Sequence, residues 1–436
     1  MPRVTVVGGG LAGCEAAWRL AKDGWSVDLH EMRPVRTSPA HRTALLAELV
    51  CSNSLGALEP TSPAGILKEE LRLLGSLLLG CAEKAAVPAG KALAVDRESF
   101  ASLVTEAIES CPSITIHREE VCEIPEEPCI VATGPLTSPS MASALARVTG
   151  EEYLYFFDAV APVVVLDSVD EDVVYRAGRY GQRGDYLNCP MTEEQYRAFH
   201  SALISAERAV PHSFEDPKYF EGCLPVEVIA ARGPETLRFG PLRPVGLPDP
   251  RTGREPFAVV QLRQDNRDGT LYNLVGFQTS LRWGEQDRVF RLIPGLERAE
   301  FARYGVMHRN VYVNAPKVLD PWLRVRGREA LFLAGQITGV EGYLESAAMG
   351  IATAVNCAAL GRNPERPPVW PRESVTGSLL HYLMNAEPAR FQPMNVNLGI
   401  LPPVAGKRIS RPDKCRIASE RALASLRRFL EDLRIG

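Results

Sequence analysis

The stretch "VTVVGGGLAGCEAAWRLAKDGWSVDLHEM" near the N-terminus constrains the fold more than any other part of the chain. A β-branched run (Val4, Thr5, Val6, Val7) gives way to Gly8, Gly10 and Gly13 in GxGxxG spacing, and a helix-forming segment with Ala17 and Leu20 follows. Gly24 closes that segment, and Val27 and Leu29 open a second strand that ends at Glu31. Each part has a physical reason. Gly8 permits a tight turn, Gly10 lets a pyrophosphate approach the backbone, and Gly13 lets the helix pack close to the sheet. The helix N-terminus offers free amides and a positive dipole end to phosphate. Glu31, 23 residues beyond Gly8, is placed to accept hydrogen bonds from an adenosine ribose. The pattern predicts a βαβ dinucleotide-binding unit.

At 436 residues the chain exceeds the size at which one core stops growing, so two domains, or one with a large insertion, are expected. The N-terminus lacks the pattern of a signal peptide, and apolar runs such as "VAPVVVL" are too short to span a bilayer. A cytoplasmic protein without membrane contact is expected. Ten cysteines with no CxxC pair indicate neither a disulfide framework nor a metal site. A net charge of −4 argues against a globally basic nucleic-acid binder, yet residues 401–436 hold nine Arg and Lys against four acids, and residues 282–331 hold ten against six. These segments suit either a phosphate-binding face or ordinary solvated helix surfaces.

Two further stretches decide which dinucleotide is meant. "PCIVATGPL" is a buried strand ending at Thr133 and Gly134. "EALFLAGQITGVEGYLESAAMGIATAVNCAA" is another strand, a loop with Gly335, Gly339 and Gly342, and a helix beginning near Glu345. The pair resembles the C-terminal flavin signature of FAD-dependent oxidoreductases with the glutathione-reductase-like fold, whereas an NAD dehydrogenase needs only the first motif. The implied class is α/β: a Rossmann-like FAD domain from 1–150 and 310–436, with an inserted α/β domain at 151–309. In the insertion, "APVVVLD", "FAVVQLR" and "YNLVGFQ" predict an antiparallel sheet, with a helix over 193–209. A C-terminal amphipathic helix is predicted from about Asp413, with its apolar face at Ile417, Leu423, Leu426, Leu430 and Leu433.

The N-terminal motif, "CSNSLGA", "ALAVDRESF", "ATGPLTS", "AGQITGVEGYLESAAMG" and "FQPMNVNLGILPP" together resemble the folate- and FAD-dependent tRNA (uracil-5-)-methyltransferases, the TrmFO family. The related MnmG (GidA) flavoproteins, which modify the wobble uridine, share the flavin motifs but are longer, with a C-terminal domain for a partner enzyme; no obligate protein partner is expected here. The resemblance implies transfer of carbon from 5,10-methylenetetrahydrofolate to C5 of the T-loop uridine, position 54 of tRNA, with reduced FAD as reductant and NADH or NADPH regenerating it. It also implies two essential cysteines, Cys51 and Cys223. Uracil C5 is a poor nucleophile, and thiolate addition at C6 activates it. Cys51 is taken as the nucleophile and Cys223 as general acid or base, with the exchange of roles as the alternative. His308 is a candidate to stack on the pterin, or an ordinary hydrogen-bonded histidine. Asn395 is a candidate for pterin or flavin edges, or a turn residue. A wobble-uridine flavoprotein and a flavoprotein disulfide reductase are the competing readings, and the latter has no closely spaced cysteine pair to use.

Overall fold

The computed structural model describes residues 1–435 other than 39, 152–153, 183, 210–223, 366 and 405–408. Strand Arg3–Val7 pairs in parallel with Ser26–Glu31 on one side and Cys129–Val131 on the other. Leu331–Leu333 and Ile114–Arg118 complete a five-stranded sheet, also in parallel. Parallel neighbours require a crossover, and helix Leu11–Lys22 supplies the first. Both ends of the chain therefore build one sheet, as the flavin-fold reading expects.

Helix Tyr343–Arg362 locks these ends together by crossing Leu11–Lys22 at close range. The approach needs small residues: a Cβ on Gly350 would lie 2.3 Å from the Ala12 carbonyl oxygen, and one on Gly335 would lie 2.5 Å from the Ala12 Cβ. Of the described helices this one is long and apolar enough to cross a membrane, but 83% of its apolar window is buried inside the fold. Its apolarity is spent on packing.

The second core belongs to a six-stranded antiparallel sheet with the order Tyr175–Arg176, Tyr186–Met191, Ala258–Gln264, Leu271–Leu274, Val163–Val165, Phe301–Arg303. Helices Glu193–Ile204 and Trp283–Phe290 bury Tyr196, Phe199, Leu203, Val289 and Phe290 in that core. The first of these starts at a capping box, with Thr192 and Gln195 satisfying each other's backbone amides. It stops at Ile204, short of the expected 209, because Arg208 bridges to Leu281 and the Ala209 amide donates to Ser280.

Between the two cores the chain leaves along Leu154–Ala159 and returns along Met307–Tyr312, paired as an antiparallel ribbon. We propose that the division into 1–150, 151–309 and 310–436 runs through this ribbon. A small antiparallel sheet of Ser54–Ala57, Ala92–Val95 and Ala86–Val87 carries the "CSNSLGA" and "ALAVDRESF" stretches.

The C-terminal helix spans Arg411–Ile435 and packs on helix Pro63–Leu74. Its buried apolar residues are Ala418, Ala422, Leu426 and Phe429, whereas Ile417 and Leu423 are only half-buried. The face is rotated from the expected one because the alanines permit close helix approach and Phe429 docks on Trp370, ring centroids 4.6 Å apart. Truncating Leu426 to alanine should cost about 2–5 kcal/mol.

Candidate active site

At the carboxyl ends of the parallel strands the glycines of the first motif divide into two kinds. A Cβ on Gly8 would lie 2.6 Å from the Ala132 oxygen, and one on Gly13 would lie 1.8 Å from the Gly8 oxygen, so both are needed for close packing. A Cβ on Gly10 or Gly134 would meet nothing within 4 Å, because these two face open space. Gly10 caps helix Leu11–Lys22 with no side-chain partner, and no acid stands in the first turn. The orphan amides and dipole of that turn are left for an anion.

Two cavities flank this turn, with about 530 and 560 Å³ of empty space. One is lined by Gly8, Glu31 and Arg33, the other by Gly134, Tyr343 and Ser346, and they share Gly10, His41, Thr133 and Leu136. They form one groove from Glu31 to Tyr343. Glu31, at the strand end, accepts from the Gly9 amide at 3.0 Å and from Arg33 Nε at 2.8 Å. Burial opposes its charge, but the Arg33 guanidinium outweighs burial and holds the carboxyl below the usual range. An uncapped helix N-terminus, a glycine cradle and a carboxylate at the far strand end fit the diphosphate and ribose of FAD.

At the other end, Tyr343 clamps the "CSN" turn. The Cys51 amide donates to Tyr343 Oη at 2.8 Å, and that hydroxyl donates to the Ser52 carbonyl at 3.0 Å. Arg97, the first residue of helix Arg97–Glu109, donates to the Cys51 carbonyl at 2.8 Å and pairs with Asp265 at 3.1 Å. Asn53 is fully buried and bonds to Val95, Gln264 and Arg263, so the turn is tied to both cores. The Cys51 thiol lies 3.7 Å from the Ala159 carbonyl oxygen. Burial, then the Asp158 charge, push this thiol above its ordinary value, and Arg97 opposes them.

Cys223 lies outside the described residues. The segment after it is anchored: Val226 donates to Gln278, and buried Glu227 accepts from Thr279 and Ser280. His308 pairs in register with Asp158 across the ribbon. Asn395 is exposed, and its carbonyl accepts from Asn397, which in turn accepts from the Gly399 amide, a turn arrangement.

Gly335, Gly342 and Glu345 are chain neighbours of the groove-lining Gln336, Tyr343 and Ser346. Gly335 makes room for Ala12, and Gly342 (φ 120°) makes room for the Glu345 carboxylate. Glu345 accepts from the Val396 amide at 2.8 Å, pinning the "PMNVN" stretch beside Gly339 and Glu341. Burial raises its carboxyl to about 7. Sequence reasoning missed Arg97, Asp158, Glu341 and Tyr343. Arg97 sits inside the quoted "ALAVDRESF" stretch, and Tyr343 stands two residues before Glu345 in another, so motif membership was the available signal. Glu341 lies in that same stretch, and Asp158 carries no such mark; both are buried, and burial followed by Asp158 raises the Glu341 carboxyl far above the usual range. Among the described residues no group of three or more metal-binding side chains occurs.

A family model described as glucose inhibited division protein A matches residues 3–365. A Desulforudis audaxviator protein named methylenetetrahydrofolate–tRNA-(uracil-5-)-methyltransferase TrmFO is 59% identical over 433 residues, spanning 98% of each chain. The chain belongs to the TrmFO family. A TrmFO of Moorella thermoacetica is 58% identical over 423 residues and 97% of each chain. Among solved structures, Aquifex aeolicus GidA superposes with a TM-score of 0.69 at 18% identity, covering 98% of this chain and 73% of that one. TrmFO proteins and GidA thus share one fold.

Proposed function

We propose that this chain transfers the methylene carbon of 5,10-methylenetetrahydrofolate to C5 of uridine 54 in the tRNA T-loop, where it ends as a methyl group. The observation that carries the reading is that Tyr343, which lines the dinucleotide groove, also holds the Cys51 turn through the Cys51 amide. The names of the curated relatives support folate as donor and a tRNA uracil as acceptor. When bound, FAD supplies the two electrons that take the methylene to methyl, and NADH or NADPH restores them.

The remaining work belongs to the protein. Gly10, Gly134 and the free amides of the first helical turn hold the diphosphate, and Glu31 holds the ribose. Glu345 acts at one remove, by fixing residue 396. Cys51 adds through Sγ to uracil C6, and the 5,6 double-bond pair moves to C5. C5 then bonds to the folate methylene as a folate C–N bond breaks. Loss of the C5 proton breaks the second folate C–N bond and leaves a methylene on C5; two electrons and a proton turn it to methyl as Sγ is expelled and the ring is restored. Cys223 takes the proton, with the exchange of the two cysteines' roles as the alternative. His308 stacks on the pterin and Asn395 meets its edge, while the basic segments 282–331 and 401–436 meet tRNA phosphates in the cytoplasm.

The test is incubation of the purified protein with methylene-labelled folate, unmodified tRNA and NADPH. Label is expected in 5-methyluridine of the T-loop. Methylation from S-adenosylmethionine alone would overturn the reading, and label at the wobble uridine would replace it with a GidA-like one.

A further inference from the structure

A second cleft lies behind the loop that carries Cys51. Val50 lines the cofactor groove and its neighbour Leu49 lines this cleft, while Glu48 borders both. The other wall is the insertion, through Asp265, Asn266, Leu271 and Arg303. The cleft opens to solvent and offers about 930 Å³ of empty space.

Three arginines and five carboxylates line it, and most of the acids are already bonded. Arg97 is matched by Asp265. Asp96 accepts from the amides of Ser99 and Arg267, and Glu48 accepts from Arg33 and from the amides of Arg42 and Thr43. At the rim, Glu98 and Asp268 are exposed, and so are Arg42 and Arg267. Arg303 remains: its body is partly buried on strand Phe301–Arg303, it lines the cleft, and among the described residues its guanidinium has no hydrogen bond and no ion pair. Burial, then Arg97 and Arg42, lower its pKa to about 10, the mark of a cation short of a counter-charge. A cation withdrawn from water without a partner is costly, and a ligand anion removes that cost.

We propose that Arg303 binds one backbone phosphodiester of the RNA substrate, next to the nucleotide on which Cys51 acts. The inference rests on the function proposed above and names the substrate group that the cleft receives. A guanidinium with no hydrogen bond or ion pair among the described residues fits one phosphodiester, which offers two oxygens to its fork. The position suits it as well, because Arg97 joins the cleft to the Cys51 carbonyl. The carboxylates of the folate tail are the other oxyanion that could enter, and the test separates the two.

The experiment compares holoenzyme carrying Arg303→Gln or Arg303→Lys with the unaltered protein, using a T-arm stem-loop RNA over a range of salt concentrations. Arg303→Gln is expected to weaken RNA binding about tenfold or more and to lower the slope of log K against log salt by about one, with Arg303→Lys recovering part of both. Flavin content and RNA-free reduction of the flavin by NADPH should stay the same. A methylphosphonate replacing the phosphate beside the target uridine should weaken the unaltered protein but not Arg303→Gln, which keeps the test decisive if the glutamine variant is less stable. Unchanged RNA affinity and slope, or a raised folate requirement at unchanged RNA affinity, would overturn the proposal. Should the unaltered protein bind this RNA but make no 5-methyluridine, the function proposal fails, and the binding comparison still decides Arg303.

Discussion

Cys51 and Tyr343, 292 residues apart in the chain, are joined by a hydrogen bond of 2.8 Å from the cysteine amide to the tyrosine oxygen. The same hydroxyl donates to the Ser52 carbonyl, so one side chain orients the whole turn. Tyr343→Phe keeps the ring that lines the groove but leaves an amide and a carbonyl unpaired, a cost of about 1–3 kcal/mol. Flavin should be retained while 5-methyluridine formation falls roughly 10- to 100-fold through a misplaced thiol. Flavin absorbance and single-turnover methylation measure the two; an equal loss of both would mean that Tyr343 serves the cofactor instead.

Gly10 and Gly13, three residues apart in one motif, should respond to alanine in opposite ways. The Gly10 Cβ would project into open groove, so Gly10→Ala should fold normally and lose flavin. At Gly13 the Cβ would collide with the Gly8 carbonyl at 1.8 Å, so Gly13→Ala should lower the thermal midpoint of the protein itself. Thermal unfolding of the flavin-free proteins checks the contrast. A Gly10→Ala variant as unstable as Gly13→Ala would show that the cradle is a packing feature.

The contrast also marks how far the chain could be read without coordinates. Strand Arg3–Val7, its glycine turn and helix Leu11–Lys22 follow from local periodicity and spacing, and local signals are what sequence carries best. The buried helix Tyr343–Arg362 was legible for the same reason, within two residues at its start. The Tyr343 clamp on Cys51 and the Arg97–Asp265 pair were not, because they join residues 292 and 168 positions apart. The bond from the Val396 amide to Glu345 was not legible either, because it joins residues 51 positions apart. The C-terminal helix shows the limit of apolar periodicity: Ala418 and Ala422 bury more completely than Ile417 and Leu423 because their smallness lets another helix approach.

The cysteines should separate by environment. Cys51→Ala and Cys223→Ala should each abolish methylation with the flavin intact. Cys122 is exposed, and Cys129 is buried within strand Cys129–Val131. Cys122→Ala should be silent, and Cys129→Ala should keep activity while costing about 1 kcal/mol of stability for the packing it loses. Label transfer and denaturant titration distinguish these outcomes. Full activity in Cys51→Ala would remove it as the nucleophile.

The state of the Cys51 thiol gives a prediction with a definite sign. Burial raises its pKa most, Asp158 raises it further, and Arg97 pulls it back. Raised above its unfolded value, the thiol contributes stability that is complete below the ordinary thiol pKa and is lost as pH rises above it. Reactivity runs the other way, since only the thiolate attacks, so alkylation of Cys51 should climb toward alkaline pH. Asp158→Asn removes a neighbouring negative charge and should move that limb about 1 unit to lower pH. Arg97→Gln removes the opposing positive charge and should move it upward. Mass spectrometry of the Cys51 peptide after brief iodoacetamide exposure across a pH series reads both shifts without interference from exposed Cys122. If Asp158→Asn shifted the limb upward, or Arg97→Gln shifted it downward, the charges around Cys51 would act on some other group, and the account of its activation would have to change.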